Sequence, residues 1–316
     1  MTEDENPAFG ARREPENNVQ PTVALALGAG GAKGLAYIGV IEEIEAQGFR
    51  IVAIAGSSMG SLIGGIHAMG KLDVYRDWVC ALARFDVLRL LDWTFSGGGV
   101  IKGERIIDTL RGLIGDTLIE ELPLTFTAVA TDIDRGHEIW LARGSLFDAI
   151  RASIAVPTVF RPHWLNGRRL VDGALLNPVP VTPLLRTDAD YILAVSVDGP
   201  AETITAPTAV ESAAEDGSSY RHRISEFVGR LIPHGEDTER TPGTLDTLNQ
   251  AMDLMQANLS RLRLAAYEPD LLIELPRNIA SVYEFYRARE LIERGRAQAR
   301  KALAEWPRSN APVRSE

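Results

Sequence analysis

Residues 51–65, Ile-Val-Ala-Ile-Ala-Gly-Ser-Ser-Met-Gly-Ser-Leu-Ile-Gly-Gly, decide the fold of this chain. The apolar run Ile51–Ala55 predicts a short buried strand, and the apolar pattern of Leu62–Met69 predicts a helix. The pentapeptide between them matches G-x-S-x-G, in which a strained turn joins strand to helix and exposes the central hydroxyl. The pattern therefore indicates Ser58 as a candidate nucleophile and leaves Ser57 as a turn residue.

The same order of elements occurs earlier in the chain. Val23–Leu27 predicts a buried strand, Gly28–Gly34 is a glycine-rich turn, and Leu35–Gln47 has helical periodicity. Buried strands that alternate with helices predict a three-layer α/β/α domain with a mainly parallel central sheet. Four more strands are predicted at Thr125–Ala130, Glu138–Leu141, Tyr191–Val197 and Leu271–Leu275.

The domain organisation follows from shifts in composition. Residues 1–20 are polar and predict a disordered segment, residues 21–306 a single domain, and residues 307–316 a flexible tail. Residues 200–243 are rich in Ala, Glu, Ser, Thr and Pro and predict a mobile insertion or lid. Within it, Arg221–Ile232 combines an apolar stripe with arginines, which fits a lid helix on the core or an interfacial helix that contacts a membrane.

Six apolar residues after the insertion repeat with 3–4–3–4–3 spacing: Leu245, Leu248, Met252, Met255, Leu259 and Leu262. Such spacing fits a helix packed on its own core or a coiled-coil seam between copies of the chain. Fewer than three heptads favour the packed helix, and the oligomeric state is left open.

Composition narrows the class of protein. A net charge of −10 argues against nucleic acid as a partner, because phosphate binding needs a basic face. The single cysteine, Cys80, rules out an internal disulfide framework, and no stretch approaches the roughly 18 apolar residues of a membrane span. The polar N-terminal residues contain no apolar signal region, so we expect a cytoplasmic protein, with peripheral membrane contact left open.

The turn Gly28-Ala29-Gly30-Gly31-Ala32-Lys33-Gly34 presents backbone N–H groups at a helix start, where an anion is favoured. Dinucleotide binding fits poorly, because Lys33 stands where G-x-G-x-x-G needs its third glycine. No metal or other cofactor is predicted, because Asp132 and Asp134 fit a turn at a strand end and calcium would need more ligands. The oxyanion of an ester remains the best candidate for the turn's anion.

A serine nucleophile needs a base, and the five histidines are poorly placed for that role. His67 lies about 13 Å beyond Ser58 along the predicted helix axis. In the chain order of an α/β-hydrolase triad only His222 or His234 would serve, and both fall in the insertion. His137 and His163 precede Asp172 and have no local partner pattern. A Ser–Asp dyad therefore stands beside the triad as the interpretation of these residues.

Three ordered blocks, Leu25–Glu45, Ala55–Gly65 and Ala149–Val181, resemble those of the patatin-like phospholipase family, especially its bacterial members. The resemblance implies a patatin-like three-layer fold and lipid acyl hydrolysis by a Ser–Asp dyad without histidine, with Ser58 as nucleophile and Asp172 as base. It also implies an oxyanion hole built from backbone N–H groups, with these candidates: Gly30, Gly31, Ala32, Lys33, Gly34 and Met59.

Two expectations follow from the proposed chemistry. A carboxylate of ordinary pKa is a poor base, so Asp172 needs desolvation that raises its pKa. The expected activity is that of a phospholipase A, lysophospholipase or carboxylesterase, and a non-catalytic lipid- or acyl-binding module is the alternative from another class. The acyl chain length and headgroup of the substrate, and whether it is an ester or a thioester, are left open.

Overall fold

The computed structural model describes residues 20–83, 103–202 and 244–307. The predicted N-terminal segment up to residue 19, most of the insertion with Arg221–Ile232, and the tail from residue 308 lie outside these ranges. The strands are β1 (Thr22–Leu27), β2 (Arg50–Ser57), β3 (Thr125–Asp132), β4 (His137–Leu141), β5 (His163–Leu165), β6 (Arg168–Asp172), β7 (Tyr191–Gly199) and β8 (Leu271–Pro276). The helices are α1 (Ala36–Ala46), α2 (Met59–Ala68), α3 (Leu72–Ala81), α4 (Glu104–Ile114), α5 (Leu146–Ser153), α6 (Thr244–Ala266) and α7 (Ala288–Glu305).

The sheet has a parallel centre and an antiparallel side. Hydrogen-bonded neighbours follow the path β5-β6-β3-β2-β1-β7-β8, in which β6 and β2 pair with successive parts of β3, and β4 also pairs with β3. The pairs along β3-β2-β1-β7-β8 are parallel, whereas β4 and β6 run antiparallel to β3 and β5 runs antiparallel to β6. The predicted mainly parallel α/β sheet is confirmed, and the short β5–β6 hairpin is an addition that no sequence pattern indicated.

Alternation along β1 explains why the two faces of the sheet differ. Val23, Leu25 and Leu27 enter the larger core, which also contains apolar residues of α1, α2, α5 and α7. Ala24 and Ala26 point to the opposite face, where a smaller core is closed by the segment from Val179 to Leu184 and by Leu264 of α6. Small side chains on this second face let the covering segments approach the sheet closely.

The apolar row on α6 does not pack on the core as the sequence favoured. Leu248, Met255 and Leu262 are exposed by 46%, 70% and 69%. Among the residues of α6 whose side chains are described, Ser260 is the buried one. The packed-helix prediction is therefore wrong for these three residues, whereas Met252 and Leu259 are half-buried, and the seam between copies stays a prediction. None of the helices in the described ranges is long and apolar enough to cross a bilayer.

Candidate active site

The strand-to-helix turn predicted at Ser58 is confirmed. Strand β2 ends at Ser57 and α2 begins at Met59, which leaves Ser58 between them with φ 54° and ψ −123°. A positive φ is unfavourable for a residue with a Cβ, so surrounding contacts must hold this backbone. Ser58 is 7% exposed and Ser57 is 0% exposed. Ser58 is thus the more accessible hydroxyl, but it lies in a more enclosed position than the expected exposed turn.

Glycine at position 60 lets this turn pass close to β1. A Cβ added at Gly60 would lie 2.1 Å from the carbonyl oxygen of Leu27, the last residue of β1. The glycine loop that follows β1 is equally close, since a Cβ at Gly34 would lie 2.4 Å from Cγ of Met59. The sequence therefore needs glycine at both positions to bring the loop against the turn at Ser58.

Strand β3 brings the two proposed reacting residues together. Ala130 pairs with both Ile139 of β4 and Asp172 of β6, so β4 and β6 lie on opposite edges of β3. By the same reasoning β2 lies opposite β4, because Val129 pairs with both Trp140 of β4 and Ser57. The ends of β2 and β6 thus share one edge of β3 and pair with its adjacent residues.

Asp172 is buried in the interior at this junction. Its side chain is 2% exposed, and its Oδ1 accepts a hydrogen bond of 2.8 Å from the N–H of Ala174. Burial raises the pKa of Asp172 to about 6, against a smaller lowering by the Ser58 hydroxyl and the Ala174 N–H. The raised pKa expected for a carboxylate base is confirmed in direction and cause.

Ser58 interacts with the Asp172 carboxyl without forming a full hydrogen bond to its Oδ2. The Ser58 hydroxyl is near enough to lower the pKa of Asp172, yet Asp172 Oδ2 is buried without a hydrogen bond of good geometry among the described residues. Catalytic hydrogen bonds are often long or misaligned before substrate binds. The arrangement therefore leaves one carboxylate oxygen available to receive a proton.

The glycine loop is held by hydrogen bonds at both the N–H and the carbonyl oxygen of Ala29. The N–H of Ala29 donates to the carbonyl oxygen of Pro178 over 2.9 Å, in the segment after Asp172. The buried hydroxyl of Tyr37 donates to the carbonyl oxygen of Ala29 over 3.1 Å. These two bonds attach the loop to the base segment and to α1, which restrains the direction in which its next N–H groups point.

The structure separates the candidate oxyanion donors into two groups. The N–H of Ala32 donates to the carbonyl oxygen of Val282 over 2.9 Å, and the N–H of Lys33 donates to Gly30 over 3.2 Å. Gly34 lies inside the 3₁₀ helix Gly31–Leu35, where its backbone closely approaches the side chain of Met59. The N–H groups without an acceptor among the described residues are those of Gly30, Gly31 and Met59.

The described histidines lie away from the dyad contacts. His67 lies near the C-terminal end of α2, 3.5 Å from Glu45, and burial lowers its pKa to about 4. His137 begins β4 and His163 begins β5, where burial lowers the pKa of His163. His222 and His234 lie outside the described ranges. Within those ranges, the groups that interact with the Asp172 carboxyl are Ser58 and Ala174.

Asp132 and Asp134, at the end of β3, form hydrogen bonds and ion pairs that stabilise the turn after this strand. Asp132 is fully buried, binds Arg135 over 2.9 Å and accepts from the N–H of Asp134, while Asp134 pairs with Arg169. In the part of the chain that the structure describes, no group of three or more histidine, cysteine or acidic side chains is arranged to hold a metal ion.

Two residues of the site, Tyr37 and Ser153, escaped the sequence analysis. Tyr37 lies among the apolar residues of a predicted helix, and Ser153 lies at the end of an amphipathic one, so each reads as a core residue. Ser153 has no local signal because it acts on Ser58, 95 residues earlier in the chain. Tyr37 acts on Ala29, eight residues earlier, and the apolar periodicity of its helix does not indicate that bond.

Comparisons by sequence find a family model and relatives that resemble the chain. Residues 25–185 match the family model of patatin-like phospholipases. An uncharacterized NTE family protein of Mycobacterium tuberculosis is 39% identical over 329 residues, which cover 90% of this chain and 91% of that protein. The lysophospholipase nte1 of Emericella nidulans is 28% identical over 183 residues, which cover 55% of this chain and 12% of that protein.

A solved structure also resembles the chain, at greater distance. The crystal structure of VipD from Legionella pneumophila has a TM-score of 0.44 and 14% sequence identity, and the match covers 91% of this chain and 67% of that chain. Likeness at this level supports no argument about the site.

Proposed function

The chain belongs to the patatin-like phospholipase family, and from this premise we propose that it is a serine lipid acyl hydrolase with Ser58 as nucleophile and Asp172 as base. One observation carries the proposal: Ser58 occupies the strained turn after β2 beside a buried carboxyl group whose pKa is raised to about 6. A carboxylate with this pKa is a stronger base than an exposed aspartate, and it is still mostly ionised at pH 7.

The proposed reaction has two steps. Ser58 Oγ attacks the carbonyl carbon of the ester while its proton passes to Asp172, and the proton then leaves with the alcohol as the C–O bond breaks. Water attacks the resulting acyl-serine, gives its proton to Asp172, and releases the fatty acid when the Ser58 oxygen recovers a proton from Asp172. Both steps use the same two side chains and consume one water molecule.

The oxyanion of each tetrahedral intermediate needs hydrogen-bond donors. We assign it to the glycine loop and Met59, and the favoured donors are the N–H groups of Gly30, Gly31 and Met59, which have no acceptor within the described ranges. Donors aimed at a developing charge in a buried site contribute strongly, and loss of one costs about 10²–10³ in rate.

Fluorophosphonate labelling tests the nucleophile. Wild type and Ser57→Ala are expected to gain one covalent phosphonyl group by intact mass and to hydrolyse a p-nitrophenyl ester. Ser58→Ala is expected to do neither, because the labelled oxygen is gone. Labelling that survives Ser58→Ala rejects the assignment, and a wild type that binds lipid without labelling or turnover supports the non-catalytic alternative.

The histidine triad is tested on the residues that its chain order requires. His222→Ala and His234→Ala are expected to keep wild-type turnover of the same ester, because the dyad reaction uses no imidazole. A loss of about 10³-fold or more in either variant, with Asp172→Asn also inactive, supports a Ser–His–Asp triad instead.

Contact with a lipid surface is a further part of the proposal and rests on the sequence pattern. The hydrolase domain comprises residues 21–306, and its insertion contains the amphipathic stretch Arg221–Ile232. Deletion of residues 215–235 is expected to weaken binding to anionic vesicles and to slow turnover of vesicle lipid more than turnover of a soluble ester. Unchanged binding and turnover remove the membrane contact from the proposal.

A further inference from the structure

We propose that Ser153 is a positioning residue of this site, because its hydroxyl holds the backbone of Ser58 and its segment also holds Asp172. The inference rests on the proposed roles of Ser58 and Asp172. Ser153 is the last residue of α5 and is fully buried, so it acts on the reaction through the two reacting residues and not by touching substrate.

The hydroxyl of Ser153 has a defined direction. Its proton is donated to the carbonyl oxygen of Val129 over 2.6 Å, which leaves a lone pair to accept the N–H of Ser58 over 3.0 Å. Val129 pairs with Ser57, the last residue of β2, so Ser153 continues the hydrogen bonding of β3 one residue beyond the strand. The first peptide of the nucleophile turn is thereby attached to the sheet.

The same segment sets the position of the base. The N–H of Asp172 donates to the carbonyl oxygen of Ala155 over 3.0 Å, two residues after Ser153. Ala152 and Ala155 are fully buried, which limits movement of this segment. Ser153 and Ala155, two residues apart, therefore bind the backbones of Ser58 and Asp172 and relate their positions to each other.

Among the described residues, the N–H of Ser58 has one hydrogen-bond acceptor, whereas its carbonyl oxygen has more than one donor. The Ser58 carbonyl oxygen accepts from the Ser61 hydroxyl over 2.7 Å and from the N–H of Ser61 over 2.9 Å. Its N–H has the Ser153 hydroxyl as its hydrogen-bond acceptor among the described residues. Removal of that acceptor leaves a buried donor unsatisfied and releases a peptide held at positive φ.

Ser57 supplies a matched control for this hydroxyl. It is as fully buried as Ser153 and adjoins Ser58, yet its Oγ has no hydrogen-bond partner within the described residues. Ser57→Ala thus removes the same atom from the same neighbourhood without removing a hydrogen bond. Differences between Ser153→Ala and Ser57→Ala report the bond itself.

The test compares Ser153→Ala with Ser57→Ala in steady-state hydrolysis of a p-nitrophenyl ester and in hydrogen exchange of the Ser58 amide. Ser153→Ala is expected to lower kcat about 10–100-fold with little change in KM, and to speed exchange of the Ser58 amide. Ser57→Ala is expected to match wild type in all three quantities. A general loss of packing would instead change KM and exchange throughout the domain.

Ser153→Cys keeps a weak donor and acceptor at the position and guards against a variant that does not fold. Its kcat is expected between those of wild type and Ser153→Ala. Wild-type kcat in Ser153→Ala, or unchanged exchange of the Ser58 amide, overturns the inference. If wild type itself neither labels nor hydrolyses, the proposed function fails, whereas the exchange comparison still decides whether Ser153 holds the turn.

Discussion

Ser57 and Asp172 pair with adjacent residues of one strand, Val129 and Ala130 of β3. Strand β2 arrives parallel to β3 and β6 arrives antiparallel, so their final residues point toward each other along one edge. Ser58 is the next residue after β2, and the shared edge explains how it meets a carboxylate from a distant part of the chain.

The pH dependence of the reaction should report Asp172. Because the base must be ionised and its pKa is raised to about 6, kcat/KM for an uncharged ester should rise about tenfold per pH unit below pH 6 and level off above it. Stopped rate assays from pH 4.5 to 8.5 measure the profile. A flat profile, or a rising limb that persists in Asp172→Asn, contradicts the role of this carboxylate.

The buried carboxylate should also cost stability above pH 6. In the folded protein the Asp172 carboxyl keeps its proton up to about pH 6, whereas in the unfolded chain it loses the proton near pH 3.8. The free energy of unfolding therefore falls as the pH rises from 3.8 to about 6. The loss amounts to about 3 kcal/mol. Asp172→Asn should therefore be inactive but more stable than wild type at pH 8, with the gain shrinking toward pH 4. Urea unfolding at both pH values measures it, and equal gains at both refute the linkage.

A methyl group at position 60 should disrupt the nucleophile turn. The Cβ of Gly60→Ala would lie 2.1 Å from the carbonyl oxygen of Leu27, so we expect a loss of roughly 1–3 kcal/mol in unfolding free energy and a large fall in kcat. The control is Gly112→Ala in α4, where nothing lies within 4 Å and a gain of roughly 0.5–1 kcal/mol is expected. Equal effects of the two changes would show that close approach at Gly60 is unimportant.

Removal of the Tyr37 hydroxyl should loosen the glycine loop. Tyr37→Phe leaves the carbonyl of Ala29 without its 3.1 Å donor, and we expect kcat to fall about tenfold with KM nearly unchanged. Tyr75→Phe removes another buried tyrosyl hydroxyl, on α3, and should leave kcat as in wild type. A Tyr37→Phe variant with wild-type kcat means that the loop holds its direction without this bond.

Much of the fold was predictable because local patterns of apolar residues indicate the strands and helices. The predicted strands agree with β1, β2, β3, β4, β7 and β8 within about two residues at each end, and the turn at Ser58 has its predicted strain. The prediction that Leu248, Met255 and Leu262 of α6 pack on the core was wrong. Apolar spacing identifies one face of a helix but does not indicate what covers that face. The β5–β6 hairpin is too short and too polar to leave a pattern.

The sequence by itself determined the order of the strands and helices, the strand-to-helix turn at Ser58, and the glycines that permit close approach. Only the tertiary structure decided the raised pKa of Asp172, which glycine-loop N–H groups have no acceptor in the described part of the chain, and the two hydrogen bonds of Ser153. The physical reason is the separation, along the chain, of the groups that interact. Backbone conformation depends on neighbouring residues, whereas desolvation and hydrogen-bond partners depend on segments that only the folded sheet brings together.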